Sequence, residues 1–100
     1  MIDTSIYTTK SFEQITDISS ATGLTAAKVK AAGVIYALIQ VTTSDCRYRT
    51  DGTDPTNAIG HYLAQNGSVE VWGLEDMLNF RAIDVTGSSK LEVTYFGGAV

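Results

Sequence analysis

Two neighbouring stretches decide the fold: residues 34–41 read VIYALIQV, and residues 46–63 read CRYRTDGTDPTNAIGHYL. The first is apolar on both alternating faces and has the length of a strand, which predicts a strand buried at the centre of a sheet. The second begins with alternating side chains and then enters a loop of Asp, Gly, Thr and Pro, which is typical of a strand that returns to the surface. Together they predict the centre of an antiparallel sandwich.

Further strand patterns recur on both sides of this centre, with turn residues between them. The predicted strands are 12–18, 34–43, 46–49, 60–64, 69–73, 80–85 and 90–96. Residues 25–33 predict a short helix with Thr25 as N-cap and Gly33 as C-cap, and residues 74–79 predict one helical turn. Asn66-Gly67 is a hairpin signal. We therefore expect an all-β fold, an antiparallel, jelly-roll-like β-sandwich of about seven to eight short strands with at most one or two short helical turns.

The length of 100 residues allows one domain with a single core. We expect that domain to span residues 12–96, after an N-terminal arm at residues 1–11 and before a flexible C-terminal tail at residues 97–100. The arm is polar, with Tyr7 among its few apolar side chains. Two alternatives stand for it: the arm is untethered, as termini commonly are, or it becomes ordered against a neighbouring subunit.

Composition and charge argue against several classes of function. The formal net charge is −4 with seven Lys and Arg residues, so we expect no nucleic-acid partner, because phosphate binding needs clustered basic side chains. Cys46 is the only cysteine, which rules out an intrachain disulfide and a multi-cysteine zinc site. No apolar run reaches the ~20 residues that span a bilayer, and no signal peptide is visible, so we expect synthesis in the cytoplasm and no membrane partner.

Charged residues cluster where the second stretch enters its loop. Arg47 and Arg49 share one face of their strand, and they either contact a neighbouring subunit or hold the loop through charge-assisted hydrogen bonds to Asp51 or Asp54. Local pairing is the simpler explanation. The residues expected to shape the loop are Asp51, Gly52, Asp54 and Pro55. The loop is rich in oxygen ligands but lacks the spacing and terminal Glu of a calcium-binding EF-hand, so ordinary turn chemistry explains it and no metal or cofactor is predicted.

Two aromatic side chains give the best indication of a binding surface. Trp72 and Phe96 fall on the parity opposite to the aliphatic residues of their strands, so they point outward if those aliphatic residues point inward. Large exposed aromatics mark partner surfaces. The alternative is a sheet covered on both faces, with both rings in the core. The interface candidates are Tyr7, Arg47, Arg49, Trp72 and Phe96.

A catalytic hypothesis would use His61 or Cys46. His61 is the only histidine, and the sequence contains no nucleophile elbow, phosphate-binding loop or oxyanion signature. Combining His61 with Cys46, or with Ser44 and Asp45, gives only a nominal hydrolase set. We therefore expect His61 to be a polar strand residue and Cys46 to pack in the core, and we predict no catalytic residue and no enzyme.

Four segments, in their order and spacing, carry a family resemblance. They are RYRTDGTDPT at 47–56, GHYL at 60–63, LNFRAI at 78–83 and KLEVTYF at 90–96, and GLTAAKV at 23–29 agrees with them. The chain resembles, over residues 20–96, a group of small β-sandwich proteins encoded among the virion structural genes of tailed bacteriophages and prophages. The segment before residue 20 is not covered by the resemblance.

The resemblance implies a non-enzymatic virion component: a capsid decoration, head-fibre or head–tail accessory protein that forms a homo-oligomer and binds a capsid, connector or tail protein. Two other hypotheses stay open. A carbohydrate-binding module of a tail or fibre would stack host surface glycans on Trp72, Tyr48 or Tyr62. A small hydrolase would use His61 and Asp54. Fold alone does not choose among the three.

Overall fold

The computed structural model describes residues 6–99, which contain seven strands and two short helices. The strands form two antiparallel sheets. The elements are β1 (Tyr7–Ile15), α1 (Ala26–Val29), β2 (Val34–Thr42), β3 (Cys46–Arg49), β4 (His61–Leu63), β5 (Ser68–Trp72), α2 (Leu74–Asn79), β6 (Arg81–Asp84) and β7 (Lys90–Gly98). The predicted all-β, sandwich-like class is confirmed.

The two sheets differ in size. The large sheet has the strand order β1-β7-β2-β5, and the small sheet has the order β4-β3-β6. Every strand pair is antiparallel. Strands β1 and β5 are the edges of the large sheet, while the β6 edge of the small sheet is met by an isolated bridge between Thr22 and Ala82.

The core lies between the sheets and follows the alternation that the sequence predicts. The inward side chains of β2 and β7 have no exposed area: Ala37, Ile39, Val41, Leu91, Val93 and Tyr95. Cys46 packs in the same core, as predicted, and Val29 of α1 and Met77 of α2 join it. Burying each of the larger aliphatic side chains contributes about 1.5–3 kcal/mol, so this single cluster accounts for most of the hydrophobic stabilisation.

Helix α1 begins after Thr25, as predicted, but ends with Lys30 and not Gly33 at its C-cap, and a tertiary contact replaces the local N-cap bond. Thr25 occupies the N-cap position but makes no side-chain bond to the helix backbone. Its hydroxyl instead donates to Glu13 Oε1 of β1 at 2.6 Å, and the Tyr95 hydroxyl donates to the same carboxylate. The helix ends at the buried Val29, and Gly33 lies in the turn that follows.

The first strand begins earlier than predicted. β1 starts at Tyr7, so residues 7–11 of the predicted arm belong to the domain, while residues 1–5 lie outside the described part of the chain. The physical reason is that β7 offers backbone groups along its whole length, and pairing satisfies them even where the partner's own side chains give a weak strand pattern.

The last strand also continues further than predicted. β7 runs to Gly98, where it pairs with Tyr7, so the predicted flexible tail is wrong at residues 97–98. Gly97 packs so closely against the carbonyl oxygen of Gly33 that a Cβ at this position would overlap it. Two successive glycines favour flexibility by composition alone, but here one of them permits close packing of two backbones.

The Asn66-Gly67 turn does not close the predicted hairpin. β4, before the turn, lies in the small sheet, and β5, after it, lies in the large sheet. Both residues of the turn are hydrogen-bonded to Val41 of β2. The Val41 oxygen accepts from the Asn66 N–H at 2.7 Å, and the Val41 N–H donates to the Gly67 oxygen at 3.0 Å. The hairpin prediction is wrong because the Asn-Gly pair determines only the local turn. The sheet that the following strand joins is determined by its pairing with β2.

Candidate interaction surface

Four aromatic rings meet on the outward face of the large sheet, one from each strand: Tyr7, Tyr36, Trp72 and Phe96. We call them the aromatic cluster. The Tyr36 ring is stacked between the other two large rings, with its centroid 4.0 Å from Trp72 and 4.9 Å from Phe96. Tyr7 meets Tyr36 and Trp72 edge-on, with centroids 5.5 Å apart in both pairs. Each such pair contributes about 0.5–1.5 kcal/mol beyond its buried area.

Strand register places these rings side by side. Tyr36 of β2 lies opposite Trp72 of β5 and opposite Phe96 of β7, so the three side chains emerge on the same face in neighbouring strands. Tyr7 lies opposite Gly98, which has no side chain. The absence of a side chain there leaves room for the tyrosine to reach across to Tyr36 and Trp72.

Burial of the cluster falls from its centre to its rim. Tyr36 is only 9% exposed, Phe96 is half-buried and Trp72 is 44% exposed. Desolvation raises the pKa of Tyr36 above its ordinary value, and the negative charges of Glu70 and ionised Tyr7 act in the same direction. The ring at the centre is therefore a neutral, apolar contact at ordinary pH.

The outward face changes from apolar to polar along the strands. The row next to the cluster contains Phe12, Thr94, Leu38 and Glu70, in which Phe12 is 55% exposed. The following row is polar: Gln14, Glu92, Gln40 and Ser68. The apolar part of the face is thus confined to one end of the large sheet.

The structure resolves the alternative that the sequence left open for Trp72 and Phe96. Trp72 and Phe96 both point outward, and Tyr7 joins them, so three of the five interface candidates lie together. Sequence reasoning missed Tyr36 and Phe12. The signal for Tyr36 was present: a β2 strand that is apolar on both parities needs cover on both faces, and the neighbouring aromatics provide it.

The two arginine candidates lie elsewhere, in the small sheet, and serve their own loop. Arg47 donates to the carbonyl oxygens of Gly60 at 2.9 Å and Asn57 at 3.3 Å, and its guanidinium lies 5.2 Å from the centroid of the Tyr62 ring. Arg49 forms an ion pair with Asp51, which lowers the pKa of that carboxyl. Arg49 therefore pairs with Asp51 as the simpler explanation predicted, whereas Arg47 holds the loop through backbone carbonyls and not through Asp51 or Asp54.

The predicted loop residues have distinct positions. Asp51 also accepts from the Thr53 N–H at 3.2 Å, and Gly52 has a φ of +83° that favours glycine. Pro55 is buried in the loop, whereas Asp54 is exposed. The local turn chemistry of Asp51 and Gly52, together with burial of Pro55, accounts for the loop conformation.

The nominal hydrolase residues are not assembled into a set. His61 is exposed on β4, where its ring lies 5.4 Å from that of Tyr48. Cys46 is completely buried, and desolvation raises the pKa of its thiol to about 11, so the nucleophilic thiolate is suppressed. Asp45 accepts hydrogen bonds from Tyr62 and from the Gln65 N–H, which lower the pKa of its carboxyl.

A groove runs between the two sheets at the β5 edge. Its volume is about 360 Å³, within the range of ligand clefts. The lining residues are Tyr48, Thr50, His61, Val69, Glu70, Val71, Trp72 and Asp76. The lining thus combines aromatic and aliphatic side chains with the carboxylates of Glu70 and Asp76.

Comparison of the chain with protein-family models, curated proteins and solved structures returned no match. Among residues 6–99, no group of three or more His, Cys, Asp or Glu side chains is placed to hold a metal ion. Neither helix in this part of the chain has the length and apolar character needed to cross a membrane.

Proposed function

We propose that the chain is a non-enzymatic structural component of a tailed-phage virion, which binds copies of itself and a capsid, connector or tail protein. The observation that carries the proposal is the aromatic cluster on an outward sheet face, extended by the exposed Phe12. Large aromatics that remain exposed on a folded domain are typical of association surfaces. The virion assignment is supported by the segment resemblance at residues 47–56, 60–63, 78–83 and 90–96.

The size of this face indicates weak individual contacts. Strand spacing of about 4.8 Å and a rise of about 3.4 Å per residue give the large sheet an outward face of roughly 500 Å². A standard stable interface buries about 800 Å² per partner. A single contact through this face is therefore weak, and symmetric repetition of the copies supplies the avidity that firm attachment needs.

The proposal is tested by light scattering of the purified chain over a wide range of concentrations. We expect oligomers whose population rises with concentration. Replacing Phe12 by Ser reduces their population, whereas Tyr62→Ser, which removes an equally exposed aromatic from the small sheet (51% against 55% exposed), leaves it unchanged. A chain that stays monomeric at every concentration contradicts self-association.

The virion assignment needs a separate measurement. Phage particles from the bacterium that carries the gene are purified and their proteins are quantified by mass spectrometry. We expect the chain in the particles at a fixed ratio to the major capsid protein. Its absence from intact particles, while it is abundant in the lysate, contradicts a virion component.

A second function is favoured by the groove at the β5 edge. Two of the three aromatics that a carbohydrate-binding module would use, Tyr48 and Trp72, line this groove with Glu70 and Asp76, whereas Tyr62 packs against Arg47. Aromatic faces and carboxylate acceptors suit a sugar ring with its hydroxyl groups. A glycan array decides the matter: binding that Trp72→Ala abolishes supports this function, and silence across bacterial surface glycans excludes it.

A further inference from the structure

In the part of the chain that the structure describes, the large sheet ends on both sides in a strand whose outer edge pairs with no other strand. Within residues 6–99, β1 pairs only with β7, and β5 pairs only with β2. Exposed strand edges are templates for another strand, and proteins commonly protect them with proline or with charged side chains. Neither strand contains proline. β1 has a bulge between Thr9 and Ser11, but residues 11–15 beyond it pair regularly and carry no charge on the outward face.

The free backbone groups of β5 can be assigned from the hydrogen bonds at its two ends. Val41 N–H donates to the Gly67 oxygen, and Gly73 N–H donates to the Ile35 oxygen. Because antiparallel strands alternate bonded and non-bonded pairs, every second residue between these bonds points its backbone toward β2. The N–H and C=O groups of Glu70 therefore face the free edge.

The same alternation of bonded and non-bonded residues can be followed from β2 through β7 to β1. It points the backbone of Glu13 and Ile15 toward β7 and leaves the groups of Phe12 and Gln14 facing the free edge. Both edges thus present free groups from residues whose side chains lie on the outward face. Such residues face each other when two antiparallel edges pair.

The groove beside β5 is the space that an added strand would occupy. It follows the β5 edge and is bounded across the gap by Tyr48 and His61 of the small sheet. An inward side chain of an added strand would cover Val69, which is only half-buried in the single copy. The shape of the groove therefore fits an extended backbone with one apolar side chain turned inward.

We propose that β1 of one copy pairs with β5 of the next, so that the large sheets of successive copies become continuous. The inference rests on the proposed self-association. Strand direction alternates across β1, β7, β2 and β5, so a following copy in the same orientation presents its β1 antiparallel to β5. This contact joins two different surfaces, and it therefore generates a ring where the rotation between copies closes.

One register brings three matching pairs of side chains together. It places Phe12 of the added strand opposite Trp72 and Gln14 opposite Glu70, while Ile15 turns inward onto Val69. The pairs are aromatic with aromatic, amide with carboxylate, and aliphatic with aliphatic. Pairing of β5 with a second β5 about its centre would instead bring two Glu70 carboxylates together, which is unfavourable.

The test uses two single-cysteine additions to the full chain, Gln14→Cys and Glu70→Cys, treated with a short thiol-specific crosslinker; the native Cys46 is buried in both. We expect covalent dimers when the two variants are mixed and none from either variant alone. Gln14→Cys mixed with Tyr62→Cys is the matched control, since Tyr62 lies on the small sheet. Dimers from Gln14→Cys alone, or no dimers from the mixture, overturn the proposal.

A backbone variant tests the strand pairing itself. Glu70→Pro removes an N–H that faces the next copy without touching the bonds to β2, and it is expected to weaken association by roughly tenfold or more. Glu70→Thr keeps the N–H and is the control. Oligomers that form normally in Glu70→Pro refute edge pairing and leave self-association intact, whereas a monomeric wild-type chain refutes both.

Discussion

The outward faces of the two sheets use their aromatic and charged side chains differently. On the small sheet, Arg47 and Tyr62 are engaged with each other, with loop carbonyls and with Asp45. On the large sheet, the rings of the aromatic cluster pack mainly on one another; the Trp72 indole N–H donates to Glu70 at 3.2 Å, and the face of the Trp72 ring stays exposed. Exposure alone therefore does not identify a surface for partners. What matters is whether the exposed side chains already have partners within the chain.

The largest effect is expected where the cluster supports its own sheet. Phe96→Ala removes the ring that stacks on Tyr36 at 4.9 Å and is expected to lower the free energy of unfolding by about 2 kcal/mol, because the side chain is half-buried. Trp72→Ala should cost about half as much, since the ring is more exposed. Urea denaturation measures both. Equal losses would show that the exposed fraction of a ring does not determine how much the ring contributes to the free energy of unfolding.

A smaller loss is expected from the contact that anchors β1. Tyr95→Phe removes the hydroxyl that donates to Glu13 and keeps the buried ring. We expect a loss of about 1 kcal/mol, the usual value of one hydrogen bond. Hydrogen exchange in β1 should rise more than in the small sheet. Unchanged protection of β1 would contradict the anchoring role.

The small sheet should respond locally. Arg47→Ala removes the two hydrogen bonds to the loop carbonyls and is expected to cost about 1 kcal/mol. Cleavage within residues 50–60 by a protease should become faster, while association stays the same. Arg47→Lys is the control for charge, because it keeps the cation and loses the two-pronged geometry. Loss of association in Arg47→Ala would mean that the interface includes the small sheet, which would contradict the account.

The smallest effect is a pH dependence at Asp45. Hydrogen bonds from Tyr62 and the Gln65 N–H lower the pKa of this carboxyl in the folded chain. Its contribution to stability is therefore present above the ordinary aspartate pKa of 3.8 and is lost as the pH falls through the lower folded value. Tyr62→Phe should reduce this loss in acid denaturation. An identical acid profile in wild type and variant would contradict the assignment.

The sequence was sufficient for the fold class and for the inward residues, because alternation on β7 and the buried β2 stretch report burial directly. It failed for pairing partners. The strand segment that begins at Tyr7 and the glycines at residues 97–98 pair with each other, and the Asn66-Gly67 turn bonds to β2. The structure of each segment therefore depends on residues that are distant in the sequence. The outward direction of Trp72 and Phe96 was predictable from parity, but the part played by Tyr36 became visible only once the register was known.

The central claim is that copies associate through the large sheet and not through the small one. It is tested most directly by amide NMR spectra of the chain recorded over a dilution series. We expect concentration-dependent shifts at Phe12, Gln14, Glu70 and Trp72, at the Trp72 indole N–H, and at the groove residues Tyr48 and His61, while β6, which lies away from the groove, stays constant. Shifts confined to the small sheet, or spectra that do not change with concentration, would contradict the account.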